Sequence, residues 1–75
     1  MRIRHRFSFS ERRREITDLL DSNGVAYDRR YGIMTVSIYE DEENWPLIRK
    51  ILSRQTVIEL VEKEYTVDEL SLIHI

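Results

Sequence analysis

Val25-Ala26-Tyr27-Asp28-Arg29-Arg30-Tyr31-Gly32-Ile33-Met34-Thr35-Val36-Ser37-Ile38-Tyr39, residues 25–39, is the stretch on which the fold turns. Residues 33–39 alternate Met34, Val36 and Ile38 with Thr35 and Ser37 and are rich in β-branched and aromatic side chains, the pattern of a strand with one buried face. Val25-Ala26-Tyr27 reads as a shorter strand before it, with the polar run Asp28-Arg29-Arg30-Tyr31-Gly32 as the turn between them. A hairpin of this kind cannot bury its apolar face alone, so the segments on either side must supply the cover.

Upstream, Ile3, His5, Phe7 and Phe9 alternate strictly with Arg2, Arg4, Arg6 and Ser8, which predicts a strand with an apolar face and a basic face. His5 falls on the apolar face, where a hydrogen-bonded core histidine is the expected reading. His74 is the only other histidine, too few for a zinc site, and no metal site is expected. Ser8-x-x-Glu11 has capping-box spacing, which predicts a helix over about 11–22 with Ile16, Leu19 and Leu20 as its buried stripe. Asn23-Gly24 ends it, because glycine reaches the left-handed conformation of a C-cap without steric cost.

Downstream, Glu40-Asp41-Glu42-Glu43 lacks the glycine and spaced oxygen donors of a calcium loop, and it precedes a helix whose positive end it would favour. Asn44 is the expected N-cap, since Pro46 is tolerated only in a first helical turn. Leu47 or Ile48, Ile51 and Leu52 then form the stripe, and Trp45 either staples the helix start to the sheet, largely buried, or stands at an exposed corner as a contact anchor. Thr56 to Tyr65 reads as a fourth strand, apolar at Val57, Ile58, Leu60 and Val61 and polar at Glu62-Lys63-Glu64. Thr66-Val67-Asp68-Glu69 repeats the capping-box spacing and predicts a short third helix with Val67, Leu70 and Ile73 on one side. Residues 1–65 thus read as one domain, and 66–75 as a helical extension leading into a neighbouring domain or partner.

The order strand, helix, strand, strand, helix, strand resembles the ferredoxin-like α+β fold. That fold is a four-stranded antiparallel sheet in the order 4-1-3-2 with two helices on one face. Its open face would then carry Arg2, Arg4, Arg6, Thr35, Ser37, Tyr39, Glu59 and Lys63, the candidate binding face.

Composition narrows the chemistry. Seventy-five residues allow one domain, with a stability of roughly 4–11 kcal/mol. No cysteine is present, which excludes disulfides and thiolate chemistry. No apolar run is long enough to cross a membrane, and a cytoplasmic protein is expected. The net charge of −2 divides into an arginine-rich first half and an acidic second half, and the simplest outcome is internal pairing between the first and last strands.

No catalytic triad, phosphate loop or zinc helix can be assembled from these residues, so neither an enzyme nor a cofactor is expected. Arg30-Tyr31-Gly32-Ile33-Met34-Thr35-Val36 matches an RNA-recognition strand only in fragments, which disfavours nucleic acid while keeping single-stranded binding as the alternative. The expected class is a non-catalytic binding or assembly module. Its partner would be a protein or neighbouring domain, or a small molecule at the strand-to-helix corner around Ser8, Ser10 and Arg12, as in regulatory domains.

Overall fold

The computed structural model describes residues 1–65 and has the order β1 (Arg2–Ser10), α1 (Arg14–Ser22), β2 (Asp28–Arg30), β3 (Ile33–Tyr39), α2 (Trp45–Leu52) and β4 (Ile58–Glu64). The strands form one antiparallel sheet in the order β2-β3-β1-β4, which is the expected 4-1-3-2 read from its other edge. Among the described residues, no helix is long and apolar enough to cross a membrane. The third helix expected from Val67 lies outside the described residues.

The alternation in β1 and β3 becomes burial through their register. Phe7 pairs with Val36 and Phe9 with Met34, so these side chains share one face of the sheet. Ile16 and Leu20 of α1, and Ile48 and Leu52 of α2, close over that face in a single cluster with Phe7, Phe9, Val25, Met34, Val36 and Ile38. Each large side chain fully buried there contributes about 1.5–3 kcal/mol. Leu19 and Leu47 lie at the margins of their stripes and remain exposed.

The end of α1 corrects the reading of β2. The Gly24 N–H donates to the Asp21 carbonyl at 3.1 Å and the Val25 N–H to the Leu20 carbonyl at 2.9 Å, with Gly24 at φ +69°. These two bonds make a Schellman motif, and Val25 joins Leu20 in the buried core cluster. Val25-Ala26-Tyr27 therefore finishes the helix instead of starting a strand. The pairing begins at Asp28, and Tyr31-Gly32 is a two-residue turn with φ of +51° and +76°, the signature of a type I′ hairpin.

The start of α1 also differs from expectation. Ser8 stays inside β1, opposite Thr35 and Ile58, so the capping box does not form. The Ser10 hydroxyl instead accepts from the Arg12 N–H at 3.2 Å, and the helix begins after Arg13 without a side-chain cap. The Glu11 N–H, donating to the Gly32 carbonyl at 2.9 Å, ties this corner to the hairpin turn. At α2 the expected N-cap position, Asn44, is correct, although its side chain makes no capping bond.

Candidate functional site: the open sheet face, the His5 cleft and the β4 edge

The residues expected on the open face divide in two. Arg2, Arg4 and Arg6 share it with Thr35, Ser37 and Tyr39, as the register of Arg4 with Tyr39, Arg6 with Ser37 and Ser8 with Thr35 requires. Glu59 and Lys63 do not. They pair with Phe7 and Ile3, so they fall on the face that the helices cover, and Glu62 and Glu64 take their place opposite Arg4 and Arg2. Sequence spacing left the parity of β4 open because its apolar residues occupy both faces. Charge could have settled it: an arginine face needs acids opposite, and even numbering supplies Glu62 and Glu64 where odd numbering supplies Lys63.

The open-face arginines are taken up within the chain. Arg2 binds Asp41 through two parallel bonds of 2.9 and 2.8 Å, and its guanidinium lies 3.6 Å from the centre of the Tyr39 ring. Arg4 donates to Glu62 at 2.7 Å and lies 3.6 Å from Glu64, and Arg6 lies 3.5 Å from Glu62. The Tyr39 hydroxyl donates to Glu64 at 2.7 Å. The Arg2 guanidinium holds the Asp41 carboxyl below its usual pKa, and Arg4 does the same to Glu62. Arg6, Thr35 and Ser37, with Asp28, Arg30 and Ile33, line a shallow depression toward the β2 edge.

A second constellation lies on the helix side, where spacing placed His5 among apolar neighbours. The Glu40-to-Glu43 run was expected to serve the start of α2, yet no acid lies in that helix's first turn. Glu40 instead reaches the His5 Nε2 at 2.5 Å, while Glu59 meets its Nδ1 at 2.7 Å. With a carboxylate at each nitrogen, only the doubly protonated ring can donate to both. Burial alone would lower the His5 pKa, but Glu40 and Glu59 outweigh it and raise the pKa above the ordinary value of 6.5.

Trp45 stacks on this ring with centroids 4.2 Å apart and planes 25° apart, the geometry of a cation–π contact. The tryptophan packs against the core and stacks on His5 and Phe7 of β1, which staples the start of α2 to the sheet, but it is only half-buried where near-complete burial was expected. His5, Trp45 and Glu59 line a cleft of about 510 Å³ with Arg49, Ser53 and Gln55. A general base must present a free ring nitrogen to its substrate, and His5 has both nitrogens engaged. The arrangement is an ion-paired clasp holding β1, β4 and the β3–α2 connection together.

The third feature is an edge. β2 forms one side of the sheet with three exposed, charged residues, and a short charged edge resists pairing with other chains. β4 forms the other side over seven residues, with Ile58 74% exposed and Leu60 and Val61 each 51% exposed. These large apolar side chains lie outside the core although the strand is fully paired to β1 on its inner side. Compared with known protein families, with curated proteins and with solved structures, the chain matches none of them.

Proposed function

We propose that this chain is a non-catalytic assembly module of the ferredoxin-like class, which docks onto protein through the β4 edge. The order βαββαβ and the strand order β2-β3-β1-β4 support the fold assignment. The observation that carries the function is the apolar character of a seven-residue edge that is unpaired on its outer side among the described residues, with Ile58, Leu60 and Val61 exposed. An incoming strand would gain main-chain hydrogen bonds from that edge and apolar contact from these side chains. Single-stranded nucleic-acid binding has weaker support. Arg2 and Arg4 are already bonded to Asp41 and Glu62, and Phe7 and Phe9 lie in the core, where no base can stack on them.

Site-specific photocrosslinking tests the docking edge. A photoreactive residue replacing Leu60 should yield discrete protein adducts, identified by mass spectrometry, and the same group replacing Arg54 should not. Equal labelling from both positions, or none from position 60, would refute the reading.

A further inference from the structure

We infer that the occupant of the β4 edge is a second copy of this chain, paired antiparallel about a two-fold axis through Val61. This rests on the assembly reading above and names its partner. A two-fold axis normal to the sheet keeps the helices of both copies on one side and joins the two sheets into one continuous sheet. The registers available to β4 are then few, and charge separates them.

Val61 is the midpoint of Ile58–Glu64, so an axis there overlaps the strands along their whole length. It sets Glu59 opposite Lys63 of the partner subunit, and Lys63 opposite the partner's Glu59. Ile58 and Leu60 then face the partner's Glu64 and the partner's Glu62. Within each copy Glu62 is already paired with Arg4 and Arg6, and Glu64 with Arg4 and the Tyr39 hydroxyl, while Glu59 meets His5 through its Oε1 and would face the partner's Lys63 as well. No like charges stand directly opposite. An axis through Glu59, Glu62, Lys63 or Glu64 would set a charged side chain against its own copy, which is destabilising, and an axis through Leu60 would pair no opposite charges. The opposite edge cannot substitute, because β2 offers only Asp28, Arg29 and Arg30.

Sedimentation equilibrium of the full chain over a wide concentration range should show a reversible monomer–dimer equilibrium. Lys63→Glu alone and Glu59→Lys alone should each weaken dimerisation by about tenfold or more, since each replaces two attractive cross-strand pairs with repulsive ones. Mixing the two variants should restore association as a heterodimer, because the charges are again opposite across the axis. Circular dichroism establishes that each variant is folded, and Val61→Lys, which sets like charges at the axis, provides a second disruption that keeps both Glu59 and Lys63. A wild-type chain that stays monomeric throughout overturns the self-pairing, and adducts of another protein at position 60 would then leave the docking edge standing. A dimer indifferent to all three substitutions and to mixing overturns the self-pairing at β4, and the labelling at position 60 then decides the docking edge by itself.

Discussion

Tyr31 shows what one residue can cost in this fold. It occupies the first central position of the type I′ turn at φ +51°, a region that side chains other than Asn, Asp and Gly rarely adopt, and its side chain is fully exposed. Nothing in its packing offsets the strain. Tyr31→Asn, which gives the turn its favoured Asn-Gly sequence, should stabilise the domain by about 0.5–1 kcal/mol. Thermal unfolding should register this as a rise in Tm of roughly 2–8 °C. His5 is the other residue with a single-position consequence. A protonated imidazole stacked 4.2 Å from the indole quenches its emission, so Trp45 fluorescence should rise as pH carries His5 through its raised pKa. His5→Gln should abolish the step, and an unchanged titration in that variant would detach the clasp from the signal.

At the scale of elements, α1 shows which parts of the sequence were legible. Its buried stripe is read correctly at Ile16 and Leu20, both fully buried, because 3.6-residue periodicity maps directly onto one helical face. Leu20→Ala should therefore cost about 2–5 kcal/mol in chemical denaturation, and exposed Leu19→Ala about 1 kcal/mol or less. The ends of α1 were harder. Ser8-x-x-Glu11 fits a capping box, but β1 competes for Ser8, and the pairing of Ser8 with Thr35 and Ile58 prevails. Val25 carries strong strand propensity, yet its N–H is committed to Leu20 by the Schellman motif. The same limit governs the site. Alternation placed Arg2, Arg4, Arg6, Thr35, Ser37 and Tyr39 on one face, since β1 and β3 each alternate unambiguously. Glu59 and Lys63 were misplaced because face assignment in β4 depends on a long-range register that no local pattern encodes. Glu40 was missed for a related reason: its partner His5 is thirty-five positions away, and a run of acids before a helix has a simpler local reading.

For the whole molecule, the division between arginine-rich and acidic halves sets how stability depends on pH. Asp41 and Glu62 have folded pKa values below their ordinary 3.8 and 4.5, held down by Arg2 and Arg4, so their contribution is complete above those ordinary values. It is lost as pH falls through the depressed folded values, when the carboxylates protonate and the arginines lose their partners. His5 works in the opposite sense. Its folded pKa lies above 6.5, so its contribution is complete below 6.5 and is lost as pH rises through the folded value, when one of the two bonds to Glu40 and Glu59 loses its proton. The two slopes bracket a window between about pH 4.5 and 6.5 in which both sets of pairs are fully formed. Denaturant midpoints measured across pH 3–9 should peak on this acidic side of neutrality. His5→Gln should flatten the alkaline limb and leave the acid limb in place. Added salt should shrink the acid limb more, because the Arg2–Asp41 pair is largely exposed and screened, whereas His5 is 8% exposed and shielded by Trp45. A stability maximum above pH 7, or an alkaline limb that survives His5→Gln, would show that the clasp does not hold its proton in the folded state.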